Sequence, residues 1–125
     1  MGMSILVVDD SAVMRAMIIK TLRLSGLPLG AVHEAANGVE GLTALREHHV
    51  DVALVDINMP VMSGSALIDR VRENPATASL PIIIVSTDSS EVRVERARAR
   101  GCAFVHKPFT PETLSEAVRS AVPER

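Results

Sequence analysis

A chain of 125 residues, nearly half of them apolar, is long enough to bury one core and too hydrophobic to remain disordered. Its 13 basic and 15 acidic residues leave a net charge of −2, which gives no electrostatic footprint for nucleic acid or anionic lipid. No apolar run approaches a membrane span, no secretory leader opens the chain and the single Cys102 has no partner for an internal disulfide, so a reducing, cytoplasmic setting is expected.

Ile5-Leu6-Val7-Val8 is a solidly apolar run that predicts a strand covered on both faces. Ser11 then caps a helix with Met14, Met17, Ile18 and Leu22 on one side. Ala31-Val32-His33-Glu34-Ala35 is more mixed and predicts an outer strand. Asn37 caps a second helix carrying Leu42 and Leu45, in which Gly41 costs about 1 kcal/mol relative to Ala. Val52-Ala53-Leu54-Val55 repeats the buried-strand pattern. A third helix uses Leu67, Ile68 and Val71 and stops before Pro75. Ile82-Ile83-Ile84-Val85 is the third solid run, and a fourth helix over about residues 89–100 ends at Gly101, a suitable C′ residue. Ala103-Phe104-Val105 makes a short outer strand. Thr110 and Pro111 open the last helix, with Leu114, Ala117, Val118 and Ala121 on one face and Pro123 closing it.

Five strand–helix units with short links predict an α/β fold, (βα)5, with a doubly wound five-stranded parallel sheet and right-handed crossovers. The first, third and fourth strands are the most apolar and belong in the centre, which leaves the second and fifth at the edges. That fits the flavodoxin-like order 2-1-3-4-5, one of the common doubly wound arrangements. A single domain over residues 1–125 is expected.

The polar residues that interrupt this pattern gather at strand ends. Asp9 and Asp10 follow the first strand, Asp56 the third, Ser86 the fourth and Lys107 the fifth. In a parallel sheet all carboxyl ends share one edge, where ligands bind. Two carboxylates about 4 Å apart repel by about 4 kcal/mol at an effective dielectric of 20, so three need a compensating cation. Carboxylate and carbonyl oxygens suit Mg²⁺, which also suits phosphoryl chemistry at Asp56, with Lys107 as a mobile positive charge and Ser86 as a hydroxyl donor.

At these positions the chain resembles a response-regulator receiver domain. The resemblance rests on Ile5-Leu6-Val7-Val8-Asp9-Asp10-Ser11, Asn37-Gly38-Val39-Glu40-Gly41-Leu42, Asp56-Ile57-Asn58-Met59-Pro60 with Ser63-Gly64, and Lys107-Pro108-Phe109-Thr110. It is nearest to the stand-alone, chemotaxis-type members of two-component signalling, which carry no output domain. The resemblance implies that Asp56 is phosphorylated from the phosphohistidine of a histidine kinase or phosphotransfer protein. It further implies that Asp10, Asp56 and the Asn58 carbonyl ligate Mg²⁺, with Asp9 acting partly through water. Lys107 would meet the phosphoryl group across a cis bond to Pro108, Ser86 would swing toward it, and Phe104 would follow as the aromatic switch. The expected partner surface spans the fourth helix, fifth strand and fifth helix, on a monomer or weak dimer. Slow self-hydrolysis is expected, with Asn58 and Asp88 flanking the water's approach, rather than enzyme turnover.

The chain departs from the family pattern in four places. Ser86 replaces the commoner Thr, Thr87 stands where Ala is frequent, and Phe104 lacks the hydroxyl of Tyr. The turn over residues 101–104 is shorter than usual. An interaction module with a decayed phosphorylation site, a flavin-binding domain and a hydrolase with an Asp nucleophile are the other readings. The intact acids and Lys107 oppose the first, and the acidic mouth and scarce aromatics oppose the second. Asn58, where a second acid would be needed, opposes the third. Arg93, Arg96, Arg98 and Arg100 on the fourth helix read either as a solvated face or as a basic docking surface, against a thin apolar stripe of Val92, Val94, Ala97 and Ala99.

Overall fold

The computed structural model describes residues 2–57, 59, 61–87 and 90–122, apart from the side chain of Arg93. The sequence readings that fall on Asn58, Pro60, Asp88, Ser89, Pro123 and the Arg93 side chain lie outside the described residues. Strands β1 (Met3–Val8), β2 (Leu29–Ala35), β3 (Val52–Val55), β4 (Ile82–Ser86) and β5 (Ala103–His106) alternate with helices α1 (Ala12–Leu24), α2 (Gly38–Glu47), α3 (Gly64–Glu73), α4 (Glu91–Ala99) and α5 (Pro111–Ala121). All strand pairs are parallel and the order is β2-β1-β3-β4-β5, as the distribution of apolar runs predicts.

Strand alternation divides the core in two. Leu6, Val8, Ala53, Val55, Ile82 and Ile84 point to the side covered by Ala44 of α2, Leu67, Ile68 and Val71 of α3, and Ala97 of α4. Ile5, Val7, Val52, Leu54, Ile83 and Val85 point to the opposite side, covered by Ile18 and Leu22 of α1 and Leu114 and Val118 of α5. Because both faces are buried, Ile5–Val8 of β1, Val52–Val55 of β3 and Ile82–Val85 of β4 are apolar without a break, which is why they read as solid runs rather than alternating ones.

The predicted caps form. Ser11 Oγ accepts from Met14 N at 3.1 Å, and Asn37 Oδ1 accepts from Glu40 N at 2.9 Å. Thr110 and Thr113 cap reciprocally, each side chain accepting the other's N–H. Gly41 has a packing reason: a Cβ there would approach Leu67 Cδ2 to 3.3 Å and Val8 Cγ2 to 3.4 Å. Two details differ from expectation. Met17 is half exposed, because it sits one residue before the 14–18–22 row that faces the sheet. Strand β2 starts at Leu29, where Met3 N donates to Pro28 O and extends the pairing beyond the mixed segment.

Helix α4 is the most lightly held element. Of its expected stripe only Ala97 is buried, Val92 is 61% exposed and Ala99 is exposed. Its C-terminus is firmly closed instead. Gly101 takes φ +70, Cys102 N donates to Ala97 O and Gly101 N to Arg98 O, a Schellman pair that turns the chain straight into β5. That closure accommodates the short 101–104 turn. Arg72 of α3 braces it, donating to Arg100 O at 2.8 Å, Leu80 O at 2.7 Å and Ala78 O at 3.0 Å, with Cys102 Sγ at 3.8 Å from its guanidinium. Cys102 is thus a buried turn residue, and burial pushes its thiol above the ordinary value. Arg72→Ala should lower stability by about 2 kcal/mol, since several carbonyls lose a charged donor together. Arg72→Lys should recover only part, because one ammonium cannot serve carbonyls from two loops. Urea midpoints read both, and an unchanged midpoint for Arg72→Ala would mean that water replaces the guanidinium at no cost.

Candidate functional site

The carboxyl ends of β1, β3, β4 and β5 form one rim. Sheet bonds fix its depth: Asp56 N donates to Val8 O at 2.9 Å, Asp9 N to Ala35 O at 3.0 Å, and Lys107 N to Ser86 O at 2.9 Å. Each polar residue therefore leaves its strand at the same level. Carboxylate oxygens of Asp9, Asp10 and Asp56 lie within 4.8 Å of one another, with Asp9 buried, Asp56 part-buried and Asp10 exposed. Ser86 is the last residue of β4 and is buried, so it belongs to the strand rather than to the loop after it.

Asp9 is the pivot of this arrangement. Its Oδ1 accepts from Ser11 N at 2.9 Å, and its Oδ2 is 3.4 Å from Lys107 Nζ, a pair in which both side chains are largely shielded from water. Lys107 and Pro108 are joined by the cis bond that the resemblance implied. The resemblance implied a part through water for Asp9, and its pairing with Lys107 was not foreseen. Phe104 lies three residues before Lys107, on β5, opposite Ile84 and part-buried against the core. It is close in the fold but one layer back from the acids.

Three supporting roles went unassigned from sequence, although Gly64 stood within the matched Ser63-Gly64 pair. Arg15 of α1 donates through Nη1 to Asp9 O at 2.6 Å and through Nε to Glu34 Oε1 at 2.9 Å, tying the β1–α1 turn to β2. Its place one turn into a helix that starts at the rim was the available signal. Gly64 opens α3 directly against the Asp56–Ile57 backbone, with Gly64 N donating to Ile57 O at 3.0 Å. His106 Nε2 lies 3.1 Å from Thr87 O. The segment between Asp56 and Gly64 also carries Val61 at φ 69, 83% exposed; a β-branched residue there costs about 1–2 kcal/mol.

The arginines of α4, which the sequence leaves open between a solvated face and a docking surface, do not all have the same surroundings. Arg96 and Arg98 are exposed, but Arg100 turns to α3, where Nη1 donates to Ser65 O at 3.3 Å and Nε stands 3.4 Å from Asp69 Oδ1. Arg100 thus braces the end of α4 against α3. At the other edge, His33 of β2 and His48 at the end of α2 stack with ring centroids 4.0 Å apart. Burial, and secondarily the charge of His48, lowers the His33 pKa.

The donor set is chemically coherent: three hard oxygen ligands in a shallow cleft, a shielded lysine beside them and a buried hydroxyl on the adjoining strand. Such a set fits a divalent hard cation with coordination positions left for an oxyanion. Among the described residues no helix is long and apolar enough to cross a membrane.

Comparison with known proteins agrees with this geometry. The family model described as response regulator receiver domain matches residues 5–119. The chemotaxis protein CheY homolog of Campylobacter jejuni is 40% identical over 116 residues, covering 91% of this chain and 88% of that protein. Chemotaxis protein CheY1 of Helicobacter pylori is 39% identical over 116 residues, covering 91% and 92%. The solved structure of Vibrio cholerae chemotaxis protein CheY4 superposes with a TM-score of 0.86 at 32% identity, covering 98% of this chain and 100% of that one.

Proposed function

Because the chain belongs to the response regulator receiver domain family, we propose that it is a chemotaxis-type switch in which Asp56 accepts a phosphoryl group. The observation that carries this reading is the approach of the Asp9, Asp10 and Asp56 carboxylates to within 4.8 Å, with Lys107 paired to Asp9 beside them. An Asp56 oxygen attacks the phosphorus of a phosphohistidine on a histidine kinase or phosphotransfer protein. The P–O bond forms, the P–N bond breaks, and the departing imidazole nitrogen keeps the electron pair and is protonated from solvent.

Asp10, Asp56 and the main-chain carbonyl of Asn58 would hold Mg²⁺, with Asp9 helping partly through water. When bound, the ion neutralises charge on the carboxylates and the incoming phosphoryl oxygens. Lys107, released from Asp9, pairs with the phosphoryl group, and Ser86 turns its hydroxyl toward it. Phe104 follows the space that Ser86 vacates and changes the surface of α4, β5 and α5, where a downstream protein docks. This is a shift between two populations, driven by contacts that phosphate makes better in one of them. The domain assists its own labelling and slow hydrolysis without turning over a separate substrate, and it works in the cytoplasm as a monomer or weak dimer.

The test is incubation with acetyl phosphate and Mg²⁺, read by intact mass. The wild-type chain should gain one phosphoryl group, and chelation of the metal should suppress the gain. A chain that stays unlabelled in millimolar Mg²⁺, or that binds no Mg²⁺ on titration, would instead favour a decayed interaction module.

A further inference from the structure

Strand β5 grips the end of β4 at two successive points. The first is backbone: Lys107 N donates to Ser86 O at 2.9 Å. The second is a side chain: His106, the register partner of Ser86, places Nε2 3.1 Å from Thr87 O. A carbonyl oxygen only accepts, so Nε2 must carry a proton in this contact. His106 is exposed, so core packing does not dictate where its ring lies.

Thr87 is the first residue beyond β4, on the link to α4, where the sheet ladder no longer holds the chain. A shift of the link that accompanies the turn of Ser86 toward Asp56 would carry Thr87 with it, and the His106 bond to Thr87 O, one peptide beyond the Lys107 N bond to Ser86 O, opposes that shift. We propose that His106 is a positioning residue that holds the Ser86–Thr87 segment in its unphosphorylated arrangement and so sets how readily the switch is thrown. The proposal rests on the reading of Asp56 as the phosphoryl acceptor. The arrangement described is the unmodified one, with Lys107 still paired to Asp9. A bond made in only one of two states shifts their ratio by its full worth. For an exposed neutral hydrogen bond that is about 2- to 10-fold.

Beryllofluoride, a mimic of the acyl phosphate, tests this on the full chain with Mg²⁺. The chain has no Trp or Tyr, so binding is followed by amide chemical shifts. His106→Phe keeps a ring and removes the donor, whereas His106→Gln keeps an N–H near the position of Nε2. His106→Phe should bind beryllofluoride about 2- to 10-fold more tightly than wild type, while His106→Gln should stay near wild type. Equal or weaker binding by His106→Phe, or His106→Gln behaving like His106→Phe, overturns the proposal while leaving the acceptor reading intact. A wild-type chain that takes up neither acetyl phosphate label nor beryllofluoride overturns the acceptor reading and the proposal together.

Discussion

Asp56→Asn should abolish phosphoryl labelling and at the same time raise the melting temperature in metal-free buffer. The first effect follows from the loss of the attacking carboxylate, since an amide oxygen is a poor nucleophile and forms no stable acyl phosphate. The second follows from repulsion. Carboxylate oxygens within 4.8 Å of one another repel by about 3.5 kcal/mol or more per pair at an effective dielectric of 20, before any offset. Lys107 offsets part of this through Asp9, and the exposure of Asp10 screens more. A net gain of about 1 kcal/mol is therefore expected, or about 3–6 °C in melting temperature for a chain of this size. Millimolar Mg²⁺ should reverse the order, because a ligand stabilises in proportion to its occupancy and the wild type keeps all three acids. Scanning calorimetry with chelator and with Mg²⁺ reads both signs. Equal labelling of Asp56→Asn would remove Asp56 as the acceptor. A lower melting temperature in chelator would make it a structural hydrogen-bond acceptor.

The opposite signs of those two effects explain why the site was legible from sequence at all. Residues that repel one another in the folded chain are poor choices for stability, so Asp9, Asp10 and Asp56 at adjacent strand ends point to chemistry. The sheet was legible for a related reason. Strands buried on two faces leave no room for polar residues, so β1, β3 and β4 announced themselves and the remaining two fell to the edges. Tertiary partners were not legible. Arg72 in the last turn of a helix reads as a solvated cation near the negative end of the dipole, yet its acceptors are carbonyls of residues 78, 80 and 100 that only the fold brings together. Arg100 read as a solvated or docking charge for the same reason, and Met17 as core because helical spacing alone does not fix which edge of a stripe the sheet covers. His106 had no signal in residue type, and Gly64 entered only as part of the matched Ser63-Gly64 pair. Their importance comes from the single atom each one faces.

Gly64→Ala should be strongly destabilising while leaving every charged group in place. Gly64 is the first residue of α3, capped by Ser63, whose Oγ accepts from Ala66 N at 3.1 Å. Nothing in its backbone angles demands glycine; the space does. An alanine Cβ would stand 2.1 Å from the main-chain oxygen of Asp56 and 2.8 Å from the Cα of Ile57. Both obstacles are backbone, so no rotamer change relieves them. Helix α3 would have to withdraw from β3, loosening Leu67, Ile68 and Val71 and stretching the 3.0 Å bond from Gly64 N to Ile57 O. The cost should exceed about 3 kcal/mol, beyond an ordinary overpacked core position. Gly26→Ala and Gly101→Ala are the controls. Those residues take φ +83 and +70 with nothing within 4 Å of a Cβ, so each should cost only the about 1–2 kcal/mol of a left-handed alanine. Urea midpoints rank the three. Because the obstructing oxygen belongs to Asp56 itself, folded Gly64→Ala should also label with acetyl phosphate more slowly than either control. A Gly64→Ala chain no less stable than Gly26→Ala would show that α3 slides freely over the Asp56 peptide and does not set its position.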